Sequence, residues 1–219
     1  KIYFLIFISL IASSILSIYY INLYDDYNLD GITHIMLKED TFAHWFNAAL
    51  IIEQIKSGVP FYEAGGEVFT KPLPQRLIAL YTYITNFQII ENWDTFKINQ
   101  GGKLAFLITQ SILYYIAIYL FYRQISKYFS SNIVFFIIAF LCLEPTLFQY
   151  HSSFWTESFY FSIQLFILTL MLDDKEKKIN FIIIGLLLGI LFIQRTAGFF
   201  YFFIILIYFF FSLRKDKYL

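Results

Sequence analysis

Apolar positions along the chain gather into long unbroken runs instead of the every-other-residue alternation of a half-buried strand. Ile2–Leu23 carries no charge, and crossing a hydrocarbon core of about 30 Å takes roughly 20 apolar residues in a helix. Further uncharged or nearly uncharged runs cover Leu104–Tyr122, Ile133–Phe148, Ser158–Leu172, Ile179–Gln194 and Gly198–Leu213. The last two are short and are separated only by Arg195, Thr196 and Ala197. One long bent helix is therefore the alternative to a final pair. The pattern predicts an all-α integral membrane protein, a single domain over 1–219 with about six spans; a five-span count is the competing topology.

The segment between the first two runs, 24–103, contains no spanning stretch and is net negative, with ten acidic residues against six basic. Loops of this length carry function or their own structure. Within it, Thr41–Ser57 reads as an amphipathic helix. Phe42, Trp45, Phe46, Ala49, Ile52 and Ile55 fall near one face, with Asn47, Glu53, Gln54 and Lys56 off it. Asp40 is placed as its N-cap and Gly58 as its stop. Such a helix beside a span would lie in the membrane interface or pack onto another part of the same loop. The Pro72 and Pro74 pair, in Phe69–Arg76, predicts an extended turn flanked by Lys71 and Arg76.

Composition agrees with a membrane class: 59% of residues are hydrophobic and 15% charged, where a water-soluble domain carries about 25% charged residues. Acidic and basic residues balance at sixteen each, so no charge excess points to nucleic acid. The single cysteine, Cys142, excludes an internal disulfide and a cysteine-based zinc cluster. With a cytoplasmic N-terminus and six spans, the Lys and Arg residues near span ends fall mainly inside, and the long loop outside. All three tryptophans (Trp45, Trp93, Trp155) then lie on the outer side, where an indole suits the headgroup region. Gly185 and Gly189 supply a small-xxx-small face for close helix packing.

An ionisable group in hydrocarbon costs at least about 2.5–3.5 kcal/mol, so each one needs a reason. Glu144, followed by the helix-breaking Pro145, His151, Glu157 and Arg195 all map to the outer half. Glu144 is explained equally by a carboxyl group beside a kink, His151 by an ordinary turn, and Glu157 with Arg195 by a pair across two helix ends. With Glu39, Asp40, Lys71 and Arg76 they give one face carboxylates, cations and an imidazole. A carboxylate can deprotonate an acceptor hydroxyl, and cations can stabilise a phosphate as it leaves.

These residues resemble the motifs of GT-C membrane glycosyltransferases, in the bacterial branch related to protein O-mannosyltransferases and aminoarabinose transferases. Asp40, His44 and Ala48 stand at the spacing of that family's acidic first-loop motif, and Ser57-Gly58 is similar to the close of its interfacial helix. Lys71-Pro72-Leu73-Pro74 resembles its Lys-Pro-Pro-Leu segment in permuted form. Trp155-Thr156-Glu157-Ser158 resembles its Glu-bearing start of a span, and Gly185–Gly189 through Gln194-Arg195 its glycine-rich helix ending in arginine. Thr41 and His44 depart from the family's usual second acid and aromatic.

The resemblance covers essentially the whole chain and implies the N-terminal portion of a longer enzyme. It implies transfer of a sugar from a polyprenyl-phosphate-linked donor to a lipid, glycan or protein acceptor on the extracytoplasmic side of a bacterial inner membrane. Asp40, or Glu39 beside it, would be the base. Lys71 and Arg195 would hold the carrier phosphate, with Arg76, Glu157 and His151 as further substrate-binding candidates. Some relatives use a divalent cation and others none, which leaves the cofactor open. The competing function classes are a polytopic transporter, which predicts repeated halves and midplane charges, and a non-catalytic subunit binding lipid or a partner.

Overall fold

The computed structural model describes residues 1–23, 37–65, 72–86, 88, 90–92, 97–98, 100–147, 156–173, 178–194 and 200–207. The helices are α1 (Ile2–Leu23), α2 (Leu37–Lys56), α3 (Pro72–Thr85), α4 (Gln100–Ile125), α5 (Ser131–Leu143), α6 (Thr156–Met171) and α7 (Lys178–Gln194), and residues 200–207 are also helical. A minimal antiparallel ladder, β1 (Ile90–Asn92) with β2 (Lys97–Ile98), precedes α4. The predicted helical class holds, this ladder apart.

Among the described residues, two helices are long and apolar enough to cross a membrane: α1 and the Leu104–Ile125 part of α4. The other apolar helices are shorter. α5 has 13 residues, α6 has 16 and α7 has 17, so at 1.5 Å per residue they run about 20–26 Å. Helix α4 lies at the centre, packed against α1, α3, α5 and α6, while α6 pairs with α7 and α2 with α3.

The packing turns polar groups inward. On α1 the buried residues include Ser9, Ser13 and Ser17, whereas Phe4, Phe7, Ile11 and Ile15 are exposed. Serines at this four-residue spacing share one face, and their small size lets α1 approach α4. The Ser13 and Ser111 hydroxyls meet at 3.1 Å across that contact. Ser17, Ser162 and Thr169 each donate to the carbonyl four residues back, which satisfies a hydroxyl that has no water to bond.

Helix α5 ends at Leu143, five residues before the expected limit of its apolar run. Pro145 has no N–H to give the carbonyl of Leu141, four residues earlier, so the ladder stops. Tyr114 of α4 fills the vacancy, its hydroxyl donating to Leu141 O at 2.9 Å. Glu144 then accepts from the Leu147 N–H at 2.6 Å and caps the turn 145–147. That carboxylate is accounted for by the chain break. Tyr128, in the α4–α5 connection, does for α6 what Tyr114 does for α5, donating to Leu172 O at 2.7 Å.

Three further expectations need correcting. Helix α2 starts at Leu37, so Asp40 lies within its first turns and is not its N-cap. The Pro72–Pro74 stretch opens a helix instead of forming an extended turn. Prolines there cost nothing in hydrogen bonding, because the first N–H groups of a helix have no intrahelical acceptor. Gly185 and Gly189 are exposed, and a side-chain carbon added at either would meet nothing within 4 Å. They form no packed face among the described residues.

Two measurements follow. Tyr114→Phe should cost about 1–3 kcal/mol by leaving a buried carbonyl unsatisfied. In a Pro145→Ala background the loss should shrink, because the restored N–H can serve Leu141. A double-mutant cycle by reversible unfolding in mixed micelles reads the difference, and additive losses would contradict the shared carbonyl. Gly58 has φ +96, so Gly58→Ala should destabilise by about 1–2 kcal/mol through left-handed strain. Gly185→Ala, helical and unobstructed, should be neutral or stabilising by up to about 1 kcal/mol.

Candidate functional site

Four candidate residues lie on described elements: Glu39 and Asp40 on α2, Arg76 on α3 and Glu157 in the first turn of α6. Ala48, Ala49 and Ile51 of α2, Ala64 of the connecting turn, Ile78 and Ala79 of α3, and Phe106 and Leu107 of α4 form one buried cluster. Tyr81, Phe106 and Phe159 bridge α3, α4 and α6, with ring centroids 5.2 Å and 5.8 Å apart in turn. The predicted inner face of α2 is borne out for Phe46, Ala49, Ile52 and Ile55. It packs onto α3, which lies in the same loop.

The connection from α2 to α3 is tied down from both sides. Helix α2 closes at Gly58, whose N–H reaches Ile55 O at 3.0 Å while the Val59 N–H reaches Gln54 O at 2.9 Å. This pairing is a Schellman cap, and the left-handed residue it needs is the glycine. Beyond it, Gln54 Oε1 accepts from the Gly65 N–H at 2.7 Å. Arg76 Nη2 donates to the carbonyls of Tyr62 and Ala64 at 3.1 and 3.2 Å. Arg76, a substrate-binding candidate by sequence, thus clamps the turn 61–65, and its Nε is buried with no partner among the described residues.

Glu157 sits in the first turn of α6 and is 6% exposed. A carboxylate there gains from the partial positive charge of a helix N-terminus. Tyr160, three residues on and so on the same side, packs in a cluster with Ile184 and Leu191 of α7 and with Ile205. The link 195–199 that carries Arg195 joins α7 to the helical residues 200–207. Arg195 itself, like Lys71 and His151, lies outside the described residues. Glu39 and Asp40 have a helical backbone in the first turns of α2, and their side chains lie outside the described set, as do those of the three tryptophans.

Gln75 was not anticipated. It is 4% exposed on the inner side of α3, and its Oε1 has no partner among the described residues. An amide following Pro-x-Pro is a signal only once that stretch is known to be helical. Among the described residues, no three His, Cys, Asp or Glu side chains group to hold a metal ion.

Arg76→Ala should free the turn 61–65, with a loss of about 1.5–3 kcal/mol for bonds from a charged donor. Arg76→Lys should recover less than half, since an ammonium lacks the planar fork. Protease cleavage within 61–65, measured beside thermal unfolding, separates this effect from a loss of ligand binding.

No family model matches the chain, and neither a curated protein nor a solved structure matches it.

Proposed function

We propose that this chain is the membrane portion of a glycosyltransferase. It takes a sugar from a polyprenyl-phosphate-linked donor and transfers it to an acceptor at the extracytoplasmic face of a bacterial inner membrane. The spans in this reading are six: α1, α4, α5, α6, α7 and a last one beginning in 198–213. The outward-facing apolar side chains of α1 and α7, set against inward serines and Asn180, favour hydrocarbon as the surrounding solvent. Tilt, local thinning and flanking residues accommodate the shorter helices.

The observation that supports the reading is the gathering of α2, α3, α4 and the start of α6 around one buried cluster, with Glu157 buried in the first turn of α6. Glu39 and Asp40 on α2, Arg76 on α3 and Glu157 on α6 are thereby carried by helices that share this cluster, although the first and last lie more than a hundred residues apart in sequence. In mechanism, Asp40 or Glu39 takes the proton of the acceptor hydroxyl as its oxygen attacks the sugar's anomeric carbon. The bond to the carrier phosphate breaks, and Lys71 and Arg195 take up the charge left on that phosphate. Glu157 supports the acceptor. A divalent cation, if one is used, would add a further charge at the departing phosphate.

Asp40→Asn should lower transfer by about 10²–10⁴-fold, the usual contribution of a general base, with folding unchanged by circular dichroism and thermal unfolding. Normal turnover in that variant would sink the assignment. Lys71→Ala and Arg195→Ala should each weaken polyprenyl-phosphate binding by about tenfold or more, the loss of a charge-assisted contact. Absence of saturable binding in the unaltered protein would remove the donor and turn attention to transport.

A further inference from the structure

Helices α2 and α3 pack against each other but show opposite kinds of surface to the outside. The exposed side chains described on α2 are Glu53, Gln54 and Lys56, with Lys56 Nζ 2.7 Å from Glu53 Oε1. No large apolar residue is exposed among its described side chains. On α3 the order is reversed. Gln75 and Thr82 are buried beside Ile78 and Ala79, while Leu80, Tyr83 and Ile84 are 43%, 71% and 72% exposed. The spacing of Leu80, Tyr83 and Ile84 puts them on one stripe, roughly opposite the buried one. In water this arrangement gains nothing for the outer stripe.

The surroundings of α3 say what covers that stripe. Tyr81 anchors α3 to Phe106 near the start of α4, and α3 also packs against α7. The outward side of α7 is apolar, with Ile182, Leu186 and Ile193 exposed. The α3 stripe therefore continues the apolar surface of the bundle, whereas the exposed side chains described on α2, all in its last turn, are charged or polar. At 14 residues, α3 is about 21 Å long, too short to cross a bilayer.

We propose that α3, and not α2, is the helix that lies in the membrane interface. Its Leu80–Tyr83–Ile84 face is covered by lipid acyl chains, and α2 is stacked above it in water. An amphipathic helix in this position buries its apolar face about 5–10 Å into the headgroup–acyl boundary. Tyr83 suits that depth, since its ring is apolar and its hydroxyl reaches the wet layer. The proposal rests on the membrane reading of the bundle and is independent of sugar transfer.

The test places single cysteines at Leu80, Tyr83 or Ile84, and separately at Glu53, Gln54 or Lys56, each labelled with bimane. The native Cys142 is buried at 1% exposure and is replaced by Ser as a control for background labelling. The protein is reconstituted in phosphatidylcholine vesicles with and without brominated acyl chains. Brominated lipid should at least halve the emission of the α3 labels and leave the α2 labels unchanged, while aqueous iodide should do the reverse. Iodide quenching of the α3 labels as strong as that of α2 overturns the proposal. So does shielding of α3 from both quenchers, which would mean that a second copy or another protein covers the stripe. Several positions on each helix keep the comparison intact if one substitution disturbs folding.

Discussion

The contact on which the rest of the bundle depends is the serine seam between α1 and α4. In the membrane reading proposed above, a helix whose outer side faces hydrocarbon gains nothing from burying Leu or Phe inward, because lipid is as apolar as a protein core. Association then comes from close approach and from hydroxyls that bond across the contact or back onto their own helix. Ser13 and Ser111 do the first, Ser17 and Ser162 the second. With α1 held this way, α4 becomes the central helix, and α5, α6 and α3 take their places around it.

The need to satisfy backbone groups away from water explains the tyrosines as well. A carbonyl released at a helix end must find a donor inside the protein. Tyr114 serves the end of α5 and Tyr128 the end of α6. Pro145 creates one of these needs outright, and Glu144, which in isolation looked like a stray charge in a span, caps the turn that follows the break. Of these residues Glu144 alone looks functional by sequence, and its geometry makes it structural.

At the candidate site, Gln54 of α2 and Arg76 of α3 both bond the turn 61–65 and so tie the end of α2 to α3. Arg76, a binding candidate by sequence, is committed to the backbone carbonyls of that turn. In the proposal made above, the apolar outside of α3 is the side that meets the bilayer.

The long apolar runs made the helical class, the positions of α1 and α4, and the face and glycine stop of α2 readable from residue order alone. Each follows from local periodicity or from a backbone angle that only glycine takes easily. Helix α3 was not readable, since Pro-x-Pro signals a turn as readily as a helix start, and only its packing, through Ile78, Ala79 and Tyr81, against α2 and Phe106 decides between them. The glycine pair on α7 misled for the opposite reason: small residues permit close packing, but a neighbour must be present to use it. Which polar residues are explained by structure, and which remain available for chemistry, depends on partners distant in sequence, as with Tyr114 and Leu141 or Arg76 and Tyr62. Those pairings are set by how helices stack, and residue order by itself does not carry that information.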